Sequence, residues 1–455
     1  MPRERINQGG EIMKVWFDLT DLSQWRGHHT GIQRVVYQLA RQLEADADAI
    51  DVGFFIYNSR DRQFYSADLS KIVARVEAQV GAASSTGVIR SDAGLVRRLK
   101  AAIRTLSYQL PHPIRQRLPY ALIGRTVHLS HKAVNMIRAQ HQSAPPAPVF
   151  TGISTASFRK EDKVLVFGSE WDNVTFMPSI VEARQKVGFK LYQVVYDMIP
   201  AIMPQLFGES LLPRFTKYMF EVGASSDGLF AISESSRLDM ISFCTELEIS
   251  PPPIGVIRLG DDFVKPHNML KPSIPVEPGK FLVSVGTIEI RKNHALLYQA
   301  YRLAHEDGIE LPPIVIVGKR GWLSGDILNA IEHDPLMKGK IFTLNDASDG
   351  VLGWLYENCL FSVYPSLYEG WGLPIAESLA YGKMCISSNT SSMTEIAGDL
   401  IEYHSPYDAR GLLDIITKYL DPQVLEARVN LIHAEYRPGT WQQAYRQIID
   451  LLEQH

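Results

Sequence analysis

Apolar residues along this chain fall into short runs separated by amphipathic stretches. Lys14 to Leu19 reads as a short buried strand, and the run from Thr30 onward repeats Ile32, Val35, Val36, Leu39 and Leu43 at helical spacing. The loop SQWRGHHTG joins them. Strand, glycine-containing loop, helix is how a doubly wound domain begins, and it aims backbone N–H groups at whatever binds the carboxyl ends of the strands. VGFFIY (52 to 57), KVLVFGS (163 to 169), KLYQVVYDMIP (190 to 200) and DGLFAISES (227 to 235) continue the strand-and-crossover rhythm of a parallel sheet, and PPPIGVIRLG closes it. A proline-rich polar segment from Val264 to Lys280 suits a linker between domains. A second series follows, in which FLVSVG, PPIVIVG, KIFTL, LFSVYPS and MCISS alternate with HALLYQAYRLAHE, LSGDILNAIEHD, VLGWLYENC and PIAESLAYG. The expected architecture is α/β, two doubly wound Rossmann-like domains facing each other across a cleft. Residues 1–265 form the first, 266–435 the second, and 436–455 a terminal helix free to pack back on the first.

Composition narrows the class. A chain of 455 residues accommodates two or three domains, and 45% hydrophobic with 21% charged residues excludes a disordered or fibrous protein. Cys244, Cys359 and Cys385 share no CxxC spacing, which points to neither a disulfide framework nor a zinc cluster. The polar start MPRERINQGG has no apolar signal core, and no apolar run approaches the ~20 residues of a membrane span. A cytoplasmic protein with at most peripheral membrane contact is expected, and nothing calls for a nucleic-acid partner. Between Ala93 and Lys160 stand eleven Lys or Arg and no acid, which leaves −15 for the rest of a chain whose overall charge is −4. Interleaved leucines make this basic helical insertion, about 70–150, either an amphipathic surface for anionic lipid or a helical layer packed on the first domain.

The most informative stretch is PSLYEGWGLPIAESLAYGKMCISSNTSSMTEIAGD, 365 to 399. Seven residues separate Glu369 from Glu377, with Gly370, Trp371, Gly372, Leu373 and Pro374 forming a tight turn that opens a helix. The two glycines let backbone N–H groups approach a ligand, and Pro374 fits the first helical turn, where its missing donor costs nothing. Two carboxylates at different depths suit two sets of vicinal hydroxyls. Upstream, VSVGTIEIRKNHALL places Arg291 and Lys292 between a strand and a helix, where paired cations suit a diphosphate.

The Glu, seven residues, Glu spacing within Glu-Gly-aromatic-Gly-Leu-Pro resembles the retaining glycosyltransferases of family 4, which have the GT-B fold. Gly-Thr-Ile-Glu-x-Arg-Lys-Asn-His and VGKRGWL resemble that family's mannosyltransferase-like subgroup. The resemblance implies that Glu369 contacts the donor sugar and Glu377 the nucleotide ribose, with Gly370, Trp371, Gly372, Leu373 and Ser366 around the donor. It places Gly31, at the end of a glycine loop, Thr287 and Lys319 beside the donor phosphates or base. Ser387, Ser388, Asn389, Ser391 and Glu395 form a second tier. Two departures stand out: Thr287 replaces a common basic residue, and Tyr196-Asp197 replaces His-Asp, leaving Asp197 to orient the acceptor or nearby backbone. His28 and His29 are candidate substitutes for the missing histidine.

The resemblance implies a nucleotide-sugar donor, GDP-mannose or a related sugar, and a saccharide or polyprenyl-diphosphate-linked acceptor in bacterial polysaccharide assembly. A dehydrogenase is excluded because no GxGxxG follows a strand. A phosphorylase of the same fold and a non-catalytic sugar-nucleotide sensor are the remaining rivals. No metal site and no cofactor are expected. The Asp-Ala-Asp at 46 to 48 lies at a helix end rather than in a metal loop, and the cations at 291 and 292 take over neutralisation of the diphosphate.

Overall fold

The computed structural model describes residues 14–24, 31–47, 50–75, 154–261, 265–266, 268–345 and 347–454. Most of the basic segment, the loop residues 27–30 with His28 and His29, and Asp48 lie outside them.

Two sheets carry the fold, and both belong to one compact unit. The first has the order β3-β2-β1-β4-β5-β6-β7. Its strands are β1 Lys14–Asp18, β2 Asp51–Asn58, β3 Gln63–Ala67, β4 Lys163–Val166, β5 Lys190–Val195, β6 Gly228–Ala231 and β7 Ile254–Val256. All neighbours pair in parallel except β2 and β3. The second sheet, β10-β9-β8-β11-β12-β13, is parallel throughout. It consists of β8 Leu282–Val285, β9 Ile314–Val317, β10 Ile341–Leu344, β11 Ser362–Tyr364, β12 Cys385–Ser388 and β13 Glu402–His404.

The central strands are apolar because helices cover both of their faces. Aromatic side chains dominate the first core, where Trp16, Phe55, Tyr57, Phe64, Phe176 and Phe189 are all buried together. Phe281, Val283, Val315, Val317, Leu355 and Tyr356 fill one face of the second sheet.

The sequence reading did not anticipate two strands, and both are edges. β3 returns from β2 through a turn in which Asn58 Nδ2 donates to Asp61 at 2.9 Å and Arg62 takes φ 56°. β13 is only Glu-Tyr-His, held by pairing to β12 rather than by apolar content. The helices Ala409–Lys418 and Pro422–Glu435 were likewise unforeseen. Each begins on an aspartate cap: Asp408 accepts from Gly411 N at 2.9 Å and Asp421 from Gln423 N at 2.8 Å.

The terminal helix Trp441–Gln454 packs on the helix Gly31–Ala45, and Tyr445 donates to Asp46 at 2.6 Å. Its close approach explains Gly255 and Gly260, where an added Cβ would lie 2.4 Å from Leu451 and 2.6 Å from Trp441. Asp46, the described aspartate of the Asp-Ala-Asp run, is thus engaged in holding this helix.

In each sheet the strand order reverses beside the first strand, between β1 and β4 and between β8 and β11. Ligands of doubly wound sheets bind in the crevice outside the carboxyl ends of the strands at such a point. Arg291 and Lys292 follow β8 and Glu369 follows β11, so the motif residues converge there.

Candidate active site

Arg291 and Lys292 form a short 3-10 turn, Ile290–Lys292, that ends on Asn293 at φ 55°. Asparagine tolerates this left-handed backbone, and its amide also donates to Pro365 O at 3.0 Å and Pro406 O at 2.8 Å. The turn is thereby tied to the segment that follows β11. A backbone bond from Leu367 N to Arg291 O, 2.8 Å, adds a second tie.

The Glu369 carboxylate sits between the two cations. Its Oε1 lies 2.6 Å from Lys292 Nζ and its Oε2 2.5 Å from Arg291 Nη1. Arg291 also pairs with the buried Glu289 at 2.8 Å and donates to Tyr368 O at 3.0 Å. Lys292 donates to Tyr364 Oη at 2.6 Å. Burial raises the Glu369 carboxyl, but Arg291 and Lys292 more than offset it and hold it down at about 2. Burial lowers Lys292, against the pull of Glu369. Burial also acts to lower Arg291, and here Glu369 and Glu289 win, so its pKa is raised.

The backbone around Glu369 is pinned from the loop after β12. Glu369 N donates to Ser391 Oγ at 2.9 Å, and Ser392 Oγ donates to Glu369 O at 2.8 Å and Trp371 O at 2.6 Å. Gly372, at φ 131°, turns the chain into the helix Leu373–Ala380. Leu373 opens that helix half-buried; Trp371 is buried with Nε1 unpartnered, and Ser366 is buried with its hydroxyl helping to hold down the Glu369 carboxyl. A buried donor left without a partner, as the Trp371 indole is, is available to a ligand.

Glu377, on that helix, accepts from Tyr356 Oη at 3.1 Å and lies 3.7 Å from Arg34 Nη1 of the first domain. Burial raises its carboxyl, and Arg34 and Tyr356 oppose the shift. Gly31 is exposed at the start of the helix that carries Arg34.

Asp197 enters from the first domain. Its carboxylate accepts from Ile199 N at 3.0 Å, and burial raises its pKa against the pull of Arg291. Gly370 meets this loop: a Cβ there would be 2.3 Å from Tyr196 O and 2.9 Å from Asp197 Cβ. Around this contact, Tyr368 Oη donates to Asp239 at 2.8 Å, and Glu395 accepts from Glu234 N and Ser235 N at 2.7 and 2.8 Å.

Arg291, Lys292, Glu369, Gly370 and Asp197 thus come together, with Glu377 on the helix Leu373–Ala380 that follows Gly370. Thr287 and Lys319 are exposed, and among the described residues neither side chain is part of the hydrogen-bonded and ion-paired cluster around Glu369. The loop that carries Lys319 instead docks through Trp322, whose Nε1 donates to Leu206 O at 2.7 Å. Glu289, Tyr364, Tyr368, Asp239 and Ser392 were not singled out from the sequence. Glu289 had a signal, an acid two residues before a cation pair; Asp239 lies in an unremarkable helix and had none.

Residues 268–437 match the family described as glycosyl transferases group 1. O-antigen chain mannosyltransferase B of Escherichia coli is 37% identical over 119 residues, 26% of this chain and 31% of that protein. Serotype-specific mannosyltransferase WbdA of Escherichia coli is 27% identical over 241 residues, 51% of this chain and 29% of that protein. The matches therefore span less than a third of either relative. Anabaena HepE in complex with UDP and glucose has TM-score 0.56 at 14% identity, over 97% of this chain and 100% of that one. Sucrose-phosphate synthase from Thermosynechococcus elongatus has TM-score 0.55 at 14% identity, over 97% and 98%. At such identity the likeness bears on the fold, which is GT-B. The matched segment, which holds both cations and both glutamates, is the part of this chain that is similar to the glycosyl transferases group 1 family.

Proposed function

We propose that this chain is a retaining hexosyltransferase that moves mannose or a related sugar from a nucleoside diphosphate sugar, GDP-linked, to a saccharide or polyprenyl-diphosphate-linked saccharide. The observation that carries the reading is the Glu369 carboxylate held by Arg291 and Lys292 opposite Asp197, with Glu377 on the adjoining helix. In the transfer the bond from the anomeric carbon to the β-phosphate oxygen breaks, its electron pair leaving with the nucleoside diphosphate. An acceptor hydroxyl forms the new bond on the same face, and its proton passes to the departing phosphate. Arg291 and Lys292 offset the charge that develops there. Glu377 holds the ribose hydroxyls, Glu369 the sugar hydroxyls, and Asp197 orients the acceptor.

The mannosyl choice is favoured by the sequence resemblance and by the names of the two Escherichia coli relatives. Two protein cations at the diphosphate support a metal-independent reaction, to which EDTA makes no difference. The basic segment 93–160 would hold the enzyme to anionic lipid at the inner face of the membrane, near a polyprenyl acceptor.

A thermal-shift panel of GDP-, UDP- and dTDP-sugars, followed by proton NMR of the product anomer, tests the proposal. Stabilisation by a GDP-sugar and an axial product from an axial donor are expected. Glycosyl transfer that requires inorganic phosphate instead identifies a phosphorylase, and donor binding with neither transfer nor slow hydrolysis identifies a sensor.

A further inference from the structure

The cations that would meet the diphosphate are already neutralised within the protein. Glu369 commits one carboxylate oxygen to each of them, at 2.5 and 2.6 Å, and the three side chains are only 9 to 15% exposed. With Glu289 on Arg291 the set carries two positive and two negative charges. A donor bringing a diphosphate into this set adds negative charge beside a carboxylate that is also meant to grip the sugar. Like charges so placed repel, and a carboxylate held by two cations has its best acceptor directions occupied.

Other contacts show which partner is able to move. Arg291 keeps Glu289 and Tyr368 O without Glu369, and Lys292 keeps Tyr364 Oη, so both cations stay aimed if the carboxylate leaves. The Glu369 backbone is held on both sides by Ser391 and Ser392. Only its side chain is free to turn, by rotation about its own bonds.

We propose that Glu369 is an internal counter-anion, its carboxylate occupying on Arg291 and Lys292 the place that the donor diphosphate takes. Diphosphate binding and release of Glu369 towards the sugar hydroxyls are then one exchange. Glu369 thereby becomes a specificity-determining residue, since a ligand lacking the β-phosphate has nothing to put in its place. The carboxyl held near 2 fits a group bound to cations in the empty enzyme. This inference rests on the reading of the site as a donor site.

Calorimetric titration of wild type and Glu369→Gln with GDP, UDP, GMP and UMP tests it. Removing the competing charge should tighten the preferred nucleoside diphosphate by about tenfold or more and leave the matching monophosphate within about threefold. Unchanged or weaker diphosphate binding by the variant overturns the exchange, as does equal tightening of the monophosphate, which would mark a general field effect. If neither protein binds any of the four nucleotides, the donor-site reading itself fails. Because Glu369→Gln leaves two buried cations short of a partner, folding of the variant is not assured. A crystal structure of the wild type with the diphosphate supplies a second measurement. Glu369 Oε1 should stand beyond about 4 Å from Lys292 Nζ, outside ion-pair range. Retention of the 2.6 Å contact with phosphate present overturns the proposal.

Discussion

Gly370→Ala tests whether the seam between the two domains sets the chemistry. Gly370 does not have a positive φ, so alanine introduces no backbone strain there and the effect is one of space alone. Its Cβ would lie 2.3 Å from Tyr196 O and 2.9 Å from Asp197 Cβ, whereas ordinary contact begins at 3.4 Å. The first clash is with backbone, which cannot rotate aside, so the two loops must part by about 1 Å at a cost on the order of 1–3 kcal/mol of overpacking. Glu369 precedes Gly370 and Asp197 is the residue displaced, so both carboxylates lose register with each other. A displacement of this size costs turnover about a hundred-fold. Nucleoside diphosphate affinity should fall far less than turnover, by about threefold at most. Lys292 keeps Tyr364, Glu377 keeps Tyr356 and Arg291 keeps Glu289 within the second domain, even where the seam contacts of Arg291 and Glu377 shift. The measurements are kcat at saturating donor, calorimetric Kd and Tm, with Gly325→Ala, where nothing lies within 4 Å, as the control. A folded Gly370→Ala enzyme with wild-type kcat would refute the reasoning.

Three further outcomes are expected. Lys292→Ala should cost about 3 kcal/mol of transition-state stabilisation, the scale of one preorganised charge donor, and kcat/KM within about fivefold of wild type would contradict its role. Glu377→Ala should weaken nucleotide binding by about tenfold, as one charged hydrogen-bonding group is lost, with kcat at saturating donor little changed; the opposite split in a direct binding and rate comparison counts against it. Burial, against the pull of Thr20, raises the Asp18 carboxyl to about 7, so the folded state keeps a proton that the unfolded chain gives up near about 4. Stability therefore falls as pH rises from about 4 to about 7 and stays reduced above that. Asp18→Asn keeps an acceptor for Thr20 N, so its Tm advantage should open over that pH range, and an advantage independent of pH would disprove the linkage.

The central strands were legible because burial on both faces writes itself as an apolar run, as in Leu282–Val285 and Ile314–Val317. β13 wrote nothing, since an edge strand of Glu, Tyr and His is held by backbone pairing. The same division runs through the site. Glu369, Arg291 and Lys292 were visible because their spacing and glycines are local. Tyr368 stood inside the motif, but its partner Asp239 lies 129 residues away on a helix that reads as ordinary. Arg34 stands in the first turn of the helix Gly31–Ala45, and its approach to Glu377 depends on how two domains meet. No periodicity in a single segment carries that information.

Those long-range contacts make the charged cluster around Glu369 dependent on the domain seam. Asp239 accepts from Tyr368 Oη at 2.8 Å, the Tyr368 carbonyl accepts from Arg291 at 3.0 Å, and Arg291 meets Glu369 at 2.5 Å. The chain of contacts is continuous from a helix of the first domain to the Glu369 carboxylate. Glu395 fixes the same helix, Glu234–Glu246, by occupying the first N–H groups at its positive end, where a carboxylate is favoured by the helix dipole. A shift of that helix relative to the second sheet cannot leave Arg291 untouched without breaking one of these bonds. The bonds from Tyr368 to Asp239 and from Arg291 to the Tyr368 carbonyl lie at partly buried positions, where an unmade hydrogen bond costs more than it does in water. The domain arrangement and the charge pairing at Glu369 are therefore set together, and residues far from the two-glutamate motif, Asp239 and Glu395 above all, belong to the machinery that holds it.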